Sequence, residues 1–369
     1  MDIGIPRERR PDENRVGLTP AGVELLTAAG HVCYVENDAG LGTGFSDIDY
    51  QRAGGRIVYS AQEVYGRADL VLKVERPTAE EVELLREGST LMGFLHLAVS
   101  ARARVEKLLS KKITAIAYET IQHDDGSLPV LAPLSQVAGR MAPQLAATLL
   151  QNNQGGKGIL LGGVPGVPPA EVIIVGAGTS GVAAAHAFLG AGASVYVLDQ
   201  DLSRLQYLDE MRGHAGRLVT MVSHSFNIRK VVKFADVLVG AVLVPGARAP
   251  IVITRELVRL MKPRSVILDF SIDQGGCVET SRPTTHRDPT FIEEEVIHYC
   301  VPNMTSVVAR TATHALNNVA WPFIKAIALE GLKSALGRLS ALKRGVATHD
   351  GHVINPALAS NLGVREVPL

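Results

Sequence analysis

Short apolar runs and amphipathic segments alternate along the chain in two long series. Runs such as DLVLKV at 69–74 and EVIIV at 171–175 are rich in branched aliphatic residues and are typical of buried strands. Between such runs lie segments with helical spacing, for example TPAGVELLTAAG at 19–30, which Thr19 opens as an N-cap and Gly30 closes. Strands that alternate with helices in this way predict mostly parallel sheets covered by helices on both faces.

The two series are separated by a predicted long helix at 133–151 and by a segment at 155–170 that is dense in Gly and Pro and predicts an irregular loop. The chain closes with helical patterns at 311–339, which we expect to return to the first domain. We therefore predict an α/β protein with two doubly wound, Rossmann-like domains that flank an interdomain cleft. The predicted boundaries are 1–133 plus 306–369 for one domain and 134–305 for the other.

Composition excludes several classes of protein. At 369 residues, with 46% apolar and 20% charged residues, the chain is long enough for two cores and is typical of a compact globular protein. Lys plus Arg and Asp plus Glu number 37 each, so no basic surface for nucleic acid is predicted. The apolar runs are short and interrupted by Gly or Pro, so we expect no signal peptide and no membrane span.

The three cysteines, Cys33, Cys277 and Cys300, lack the close CxxC spacing of a zinc site. Buried free thiols are typical of a reducing compartment, so we predict a cytoplasmic protein. His349 and His352 have the i, i+3 spacing of two metal ligands, but no third ligand lies near them in the sequence. We therefore predict no metal site.

A glycine-rich motif follows the strand predicted at 171–175. Gly176, Gly178 and Gly181 have GxGxxG spacing between a β-branched strand and an Ala-rich helix, which is the context in which this motif binds dinucleotides. Gly176 allows a tight turn, Gly178 lets the backbone approach a pyrophosphate, and Gly181 allows the helix to pack on the strand. The N-terminus of the helix then offers free N–H groups and a positive dipole end to the phosphates.

Asp199 ends the next predicted strand, where a carboxylate accepts hydrogen bonds from the adenosine ribose hydroxyls and repels a 2′-phosphate. This position favours NAD over NADP as the cofactor. Arg204, slightly downstream, is the one feature that weakens the preference, because a guanidinium can accommodate a 2′-phosphate.

Asp273 follows the apolar run at 266–271 and precedes Gln-Gly-Gly. An aspartate before glycine commonly caps a turn, which is one interpretation. The other interpretation is chemical, because a nicotinamide bound at the carboxyl ends of the strands would lie beside this carboxylate. We favour the chemical interpretation.

Three further polar residues stand near the ends of strands predicted in the first series. Arg15 is interpreted either as a bidentate clamp for a substrate carboxylate or as surface charge. Lys73 either binds an anion or extends its amine to the sheet edge. His96 either transfers protons near neutral pH or is a hydrogen-bonded core histidine. Because carboxyl ends of parallel strands share an edge, we expect the three side chains to converge there.

Several longer motifs match one protein family nearly from end to end. The most specific is the Gly-rich segment at 155–170 joined to the dinucleotide motif. The others are ENRVGLTPAGV, AGLGTGFSD, ADLVLKV, LHLA, AYETIQ, LPVLAPLSQVAGRMA, GAVLVPGARAP, SIDQGG and HYCVPNM. On these motifs the chain resembles the NAD-dependent L-alanine dehydrogenases, which are related to the NAD-binding subunit of proton-translocating transhydrogenase.

The resemblance implies roles for individual residues. It makes Arg15 and Lys73 the binders of the substrate carboxylate and carbonyl, and His96 and Asp273 the catalytic pair. It implies that the discontinuous domain binds substrate and that the other domain binds NAD. It also implies a homohexamer and a cleft that closes on the ligands. Beyond the three glycines, the cofactor-binding residues that it implies are Ser135, Asp199, Arg204, Ser223, Leu243, Asp273, Asn303 and Met304.

The implied reaction converts L-alanine to pyruvate and ammonia, reversibly. The alanine carboxylate pairs with Arg15, and the Cα hydride passes to C4 of the nicotinamide. His96 assists water as a general base in its attack on the imine, and Lys73 stabilises the oxygen of the carbinolamine. Asp273 holds the amine and accepts a hydrogen bond from the nicotinamide ribose. The cationic side chains polarise the carbonyl, so the reaction needs no metal.

The sequence departs from the family pattern at Pro302, Thr305 and Ala309, where members of the family usually have Ala, Pro and Pro. Gly93 and Phe94 also stand where a bulkier or aromatic pair is expected. Because proline fixes φ and removes a donor, the 302–309 loop is expected to differ in course and stiffness. A dehydrogenase for another small 2-amino acid is therefore the first alternative.

A second alternative is a transhydrogenase-type subunit that binds NAD(H) without turnover. The corresponding QGG segment of that relative lacks the aspartate found here as Asp273. Arg15, Lys73, His96 and Asp273 together therefore favour a self-sufficient dehydrogenase.

Overall fold

The computed structural model of the chain describes residues 1–210 and 217–369. Two compact units are present. Unit 1 comprises Met1–Leu134, Pro245–Ala247 and Thr305–Leu369, and unit 2 comprises Ser135–Val244 and Arg248–Met304. Strands and helices are numbered below in chain order through both units. Within the described ranges, no helix has the length and apolar character that crossing a membrane requires.

Unit 1 is built on an eight-stranded sheet in the order β15-β14-β6-β5-β4-β1-β2-β3. Its strands are β1 (Asp2–Ile5), β2 (Val32–Glu36), β3 (Arg56–Val58), β4 (Leu70–Glu75), β5 (Thr90–Phe94), β6 (Thr114–Ala117), β14 (Val346–His349) and β15 (His352–Val353). Strands β1 to β6 are parallel, whereas β14 pairs antiparallel with both β6 and β15. From β1 the chain builds β2 and β3 on one side and then crosses to β4 on the other, so the topological switch point lies between β1 and β4.

Helices cover the sheet of unit 1 and begin at residues suited to capping. Thr19 accepts a hydrogen bond from the N–H of Gly22, and Ser46 forms a reciprocal capping box with Asp49. Buried aliphatic side chains pack on both faces of the sheet, as a doubly wound fold requires. The helices are α1 (Pro20–Ala28), α2 (Asp47–Arg52), α3 (Ala61–Arg67), α4 (Ala79–Leu84), α5 (Arg102–Ser110), α11 (Ala309–Glu330), α12 (Leu332–Arg338), α13 (Ser340–Arg344) and α14 (Pro356–Leu362).

Unit 2 is built on a seven-stranded sheet in the order β12-β13-β11-β10-β7-β8-β9. Its strands are β7 (Glu171–Val175), β8 (Ser194–Asp199), β9 (Leu218–Val222), β10 (Val237–Gly240), β11 (Val266–Asp269), β12 (Thr290–Glu293) and β13 (Val296–Tyr299). Its helices are α7 (Thr179–Gly190), α8 (Leu202–Asp209), α9 (Ser225–Val232) and α10 (Arg255–Val258), and α6 (Ala132–Leu149) begins in unit 1 and continues into unit 2. All pairs are parallel except β12 with β13, and the switch point lies between β7 and β10.

The predicted α/β fold with mostly parallel sheets is confirmed. The long helix expected at 133–151 is Ala132–Leu149, and 155–170 is irregular apart from an isolated bridge between Val164 and Val167. The antiparallel strands β12, β14 and β15 are additions to the predicted pattern. They are short edge pairings, and the two residues of β15 are too few for any periodicity to reveal.

Candidate functional site

Arg15 is buried in the segment that links β1 to α1, with only 3% of its side chain exposed. Its Nε and Nη2 donate to Oε1 and Oε2 of Glu13 at 2.7 and 2.6 Å, and its Nη1 donates to Thr305 Oγ1 at 3.0 Å. Glu75 lies 3.5 Å from Nη2. Burial alone would lower the pKa of the guanidinium, but Glu13 more than offsets this and raises it. Since Glu13 occupies the Nε edge, a second carboxylate would meet the Nη1–Nη2 end.

The segment around Arg15 is fastened to α11. The backbone N–H of Val16 donates to Thr313 Oγ1 at 3.3 Å, and that of Thr19 donates to Asn317 Oδ1 at 2.8 Å. These bonds satisfy buried N–H groups in a stretch that has no strand or helix partner of its own. The returning C-terminal segment therefore fixes the position of Arg15.

Lys73 has no exposed side-chain surface and lies within β4, not at its end as the sequence suggested. Its Nζ is 2.9 Å from Oε2 of Glu8 and 2.9 Å from Oε1 of Glu81. Tyr65 Oη donates to the same Glu81 oxygen at 2.8 Å. Burial would lower the pKa of Lys73, but the attraction of Glu8 and the other partners raises it well above its usual range. The lysine is therefore a fixed cation.

The two carboxyl groups beside Lys73 differ from each other. Burial and the nearby Glu13 raise the pKa of Glu8, with Lys73 opposing them. Burial also acts to raise the pKa of Glu81, but Lys73 and the N–H of Thr78 outweigh it and lower that pKa. Glu8 is thus the partner that takes up a proton more readily. It also couples the Lys73 and Arg15 groups, because it lies within electrostatic range of both cations.

His96 lies two residues beyond the end of β5 in a left-handed backbone conformation, φ 43°. Oε1 of Glu119 accepts the N–H of His96 at 2.6 Å, and Oε2 accepts the N–H of Leu95 at 3.2 Å. The imidazole stacks on Phe94 with 6.3 Å between ring centroids. Its Nδ1 is buried and 4.0 Å from Glu119 Oε1, too far for a hydrogen bond. The interpretation of His96 as a hydrogen-bonded core histidine therefore does not hold for Nδ1.

Glu119 is a functional candidate that the sequence did not single out. It is 3% exposed and follows β6, beside β5 in the sheet. Its carboxylate holds the backbone that places His96. The sequence signal was an acidic residue directly after a buried strand, in the AYETIQ motif.

The glycine motif in unit 2 has the geometry that a pyrophosphate requires. Gly176 has φ 106°, and a Cβ there would lie 2.3 Å from the carbonyl oxygen of Ala241. A Cβ at Gly181 would lie 1.8 Å from the carbonyl oxygen of Gly176, so α7 packs directly on the turn. Gly178 faces open space, and as the N-cap of α7 it leaves the first N–H groups without a side-chain acceptor. These features fit a bound dinucleotide.

Asp199 ends β8, and its carboxylate is held by two backbone N–H groups. Oδ2 accepts from Ala177 at 2.6 Å and Oδ1 from Asp201 at 2.8 Å. Arg204, which is 55% exposed, approaches Oδ2 to 3.7 Å. Both carboxylate oxygens keep a lone pair for ribose hydroxyls. A pocket of about 890 Å³ adjoins this motif, and its lining includes Gly178, Thr179 and Arg204.

Asp273 lies in a 3-10 turn at Ile272–Gln274, beyond the end of β11. Its Oδ1 accepts the N–H of Asn303 at 3.2 Å. Asn303 has a left-handed φ of 51°, and Gly275 and Gly276 have φ of 95° and 79°. The residue at the cap position of the turn is Ser271, not Asp273. The turn-cap interpretation is therefore wrong, and the carboxylate instead joins the turn to the segment after β13.

Asp269 is a second residue that the sequence did not single out. It is 2% exposed, and burial raises the pKa of its carboxyl group. Oδ1 accepts the N–H of Ser271 at 3.0 Å, and Oδ2 accepts those of Cys277 and Val278 at 3.1 and 3.3 Å. It therefore holds both ends of the loop that carries Asp273. Its sequence signal was an acidic residue that ends a buried strand.

Most of the other residues that the family resemblance implies for the cofactor follow the carboxyl ends of strands in unit 2. Ser223 follows β9, and its N–H donates to the carbonyl of Asp199 at 2.9 Å. Leu243 follows β10 and is 42% exposed, whereas Met304 follows Asn303 and is buried. Ser135 lies instead on α6. Asp199, Asp273 and Asn303 share the same sheet edge, where α/β folds bind their ligands. Among the residues described, no cluster of His, Cys, Asp or Glu could hold a metal ion.

Both parts of the chain match models of one family. Residues 4–138 match the alanine dehydrogenase/PNT N-terminal domain, and residues 142–356 match the alanine dehydrogenase/PNT C-terminal domain. The chain belongs to the alanine dehydrogenase/PNT family. This membership confirms the family resemblance drawn from the motifs and the prediction of NAD as the cofactor.

Individual members of the family are similar over almost their full lengths. The alanine dehydrogenase of Methanococcus maripaludis is 49% identical over 97% of this chain and 96% of its own. That of Mycobacterium tuberculosis is 46% identical over 99% and 97%. A solved L-alanine dehydrogenase superposes with a TM-score of 0.90 at 44% identity, covering 98% of this chain and 99% of its own. A transhydrogenase from Sinorhizobium meliloti has a TM-score of 0.78 at 23% identity, covering 97% of this chain and 100% of its own, which shows a shared fold.

Proposed function

We propose that this family member is an NAD-dependent amino-acid dehydrogenase that deaminates L-alanine to pyruvate and ammonia and catalyses the reverse reaction. The observation that carries the proposal is the pair of buried, charged cations Arg15 and Lys73 in unit 1, which share the nearby carboxyl group of Glu8. Two fixed cations suit a 2-oxo acid, which presents one carboxylate and one polarisable carbonyl. The names of the relatives support the same substrate.

Arg15 binds the substrate carboxylate in this proposal. Glu13 holds its Nε edge, so the carboxylate binds end-on to Nη1 and Nη2. Lys73 donates one N–H to Glu81, forms an ion pair with Glu8, and in this proposal directs another N–H to the substrate oxygen. The charge that develops on that oxygen during attack by water is thereby stabilised.

His96 is the proposed general base. Its Nδ1 has no hydrogen-bond partner in the unit, so the ring is free to take a proton from water. Asp273 is proposed to hold the substrate amine and then ammonia. Both residues follow parallel strands of their own unit, a position typical of catalytic side chains in α/β enzymes.

NAD supplies the hydride acceptor for the substrate Cα when it is bound. Gly176, Gly178 and Gly181 are proposed to receive its pyrophosphate, and Asp199 its adenosine ribose. The other proposed cofactor contacts are Ser135, Arg204, Ser223, Leu243, Asp273, Asn303 and Met304.

The test is NADH oxidation with ammonium and a panel of 2-oxo acids. We expect the highest kcat/KM on pyruvate. His96→Gln and Asp273→Asn should each lower kcat by about 10²–10⁴-fold, the usual contribution of a positioned proton-transfer or electrostatic group. Asp288→Asn, at an exposed aspartate of unit 2, is the matched control and should leave kcat unchanged.

Two other outcomes correspond to the alternatives raised by the sequence. A preference for a bulkier 2-oxo acid would replace alanine as the substrate and direct attention to the 302–309 loop. NADH binding without turnover on any 2-oxo acid would instead indicate a transhydrogenase-type subunit.

We also propose that the protein is a cytoplasmic homohexamer with a substrate domain of 1–133 plus 306–369 and an NAD-binding domain of 134–305. The family resemblance supports the hexamer, and three buried free thiols support a reducing compartment. Light scattering coupled to size-exclusion chromatography tests the mass, and fractionation of cells tests the location. A monomeric mass would refute the hexamer.

A further inference from the structure

Three arginines of unit 1 lie close together at the carboxyl edge of its sheet. Arg10 lies in the segment after β1, Arg76 directly follows β4, and Arg104 is in the first turns of α5, after β5. All three are half-buried. Arg10 Nε donates to the carbonyl oxygen of Arg76 at 3.0 Å, which joins the first two.

No carboxylate in the described chain forms an ion pair with any of the three guanidiniums. Arg104 Nη1 donates instead to the neutral Ser100 Oγ at 3.2 Å. The Nε atoms of Arg76 and Arg104 are shielded from solvent and have no hydrogen-bond acceptor. Buried N–H groups of a charged side chain are rarely left without an acceptor in a native protein.

Two other arginines of the segment after β1 are paired with carboxylates, unlike the three of the cluster. Arg9 forms an ion pair with Glu36, and Arg15 binds Glu13 through two parallel hydrogen bonds. Of the carboxylates that act on Arg10, Glu75 acts most strongly and lies 3.5 Å from Arg15 Nη2, and Glu81 and Glu8 are engaged by Lys73. The cationic charge of the cluster is therefore not cancelled by contact inside its own unit.

The three cations repel each other. Burial and then Arg76 lower the pKa of Arg10, and burial, Arg10 and Arg76 lower that of Arg104. Lowering the pKa of a guanidinium means that its charged form is disfavoured where it stands. An anion among the three would reverse this effect and accept the unpaired N–H groups.

The position in the sheet gives an independent indication of a ligand. The order β5-β4-β1-β2 places the segments after β1 and β4 on either side of the topological switch point of unit 1. In open α/β sheets this crevice, outside the carboxyl ends of the strands, is where ligands bind.

We propose that Arg10, Arg76 and Arg104 form a binding site for a small oxyanion, a phosphate or a carboxylate, separate from the site at Arg15. Planar guanidinium groups match the oxygens of both anions through paired hydrogen bonds. Phosphate is expected to bind more tightly than a monocarboxylate because it carries more charge and more acceptors. The site lies outside the groups assigned to the reaction and does not depend on the proposed activity.

The test is calorimetric titration of inorganic phosphate at low ionic strength, with NADH in saturating excess so that the glycine motif of unit 2 is occupied. Wild-type protein should bind phosphate saturably. Arg76→Gln and Arg104→Gln should each weaken binding by about tenfold or more, because each removes a charged donor. Arg7→Gln is the matched control. It removes an exposed arginine of the same segment and should bind phosphate like the wild type.

Two single variants are tested so that the result does not depend on one of them folding correctly. The melting temperature of each variant is measured together with the titration. Equal phosphate affinity in the wild type, Arg76→Gln and Arg104→Gln would overturn the proposal, as would the absence of saturable binding in the wild type.

Competition with pyruvate and the oligomeric mass of the variants distinguish the remaining explanations of the three arginines. If pyruvate displaces phosphate at concentrations near its KM, the arginines belong to the substrate site and a separate site is excluded. If the two Gln variants change the oligomeric mass, the guanidiniums meet a second copy of the chain and the small-anion site is refuted. Retained mass, with phosphate bound in the presence of saturating pyruvate, supports the proposal.

Discussion

Thr305 shows how a single residue can orient a buried cation. Its Oγ1 accepts a hydrogen bond from Arg15 Nη1, and it is 6% exposed. The proposed end-on binding of a carboxylate uses the same end of the guanidinium. The orientation of that end therefore depends on Thr305, one of the positions at which a departure from the family pattern is expected.

We expect Thr305→Val to raise KM for pyruvate by about 3- to 10-fold, which corresponds to the usual net contribution of one hydrogen bond. The reason is that valine keeps the shape of threonine but removes the acceptor, so Nη1 loses its fixed direction. Steady-state kinetics at saturating NADH measure this, and KM for NADH should stay unchanged.

Thr305→Ser is the matched control, because it restores the hydroxyl and should restore KM. If the serine and valine variants have the same raised KM, the hydrogen bond does not orient Arg15 and only packing is involved.

The sequence identified Arg15 and Thr305 separately but could not pair them. They are 290 positions apart, and only the return of the C-terminal segment to unit 1 brings them into contact. The same limit hid Glu119, which acts on His96 from the next strand. Local spacing identifies residues that can do chemistry, whereas the partners that orient them come from tertiary structure.

At the scale of elements, the strand–turn–helix of unit 2 was predictable because every requirement is local. Gly176, Gly178 and Gly181 follow from backbone sterics within a few residues. In contrast, the apolar run TLMGFLH at 90–96 predicts a strand that reaches His96, whereas β5 ends at Phe94. The carboxylate of Glu119 accepts the N–H groups of Leu95 and His96, and this turns the chain away from the sheet.

Substitutions at two glycines of this element should affect different properties, the stability of the fold at Gly181 and the binding of NADH at Gly178. A Cβ at Gly181 would lie 1.8 Å from a backbone oxygen, whereas one at Gly178 would meet no atom within 4 Å. We expect Gly181→Ala to lower the free energy of unfolding by about 1–3 kcal/mol or more, because backbone must shift. Gly178→Ala should leave stability within about 0.5 kcal/mol of the wild type, as at an open surface position.

NADH binding should show a different pattern. Gly178→Ala places a methyl group where the pyrophosphate approaches, so its Kd for NADH should rise by about tenfold. Denaturant unfolding and fluorescence titration of NADH measure the two quantities. A Gly178→Ala variant that binds NADH like the wild type would show that the pyrophosphate lies elsewhere.

At the scale of the whole molecule, the reactivity of the three buried thiols can measure the unfolding of each unit separately. Cys33 lies in unit 1, and Cys277 and Cys300 lie in unit 2. Burial raises the pKa of Cys33 and Cys300 to about 12, and burial together with Asp269 raises that of Cys277. Because the thiolate is the reactive form, the thiols of the native protein should react slowly with a disulfide reagent. All three thiols should react only after the protein has been unfolded.

Saturation with NADH should change this reactivity in one unit. A ligand present at 100 times its Kd stabilises the unit that binds it by about 2.7 kcal/mol, which slows labelling through unfolding about 100-fold. We expect this protection at Cys277 and Cys300, whereas Cys33 should be protected less if unit 1 unfolds separately. Labelling in mild denaturant, followed by mass spectrometry of the cysteine peptides, measures each rate.

Equal rates for Cys277 and Cys300 with and without NADH would contradict cofactor binding by unit 2. Equal protection of all three thiols would instead show that the two units unfold as one.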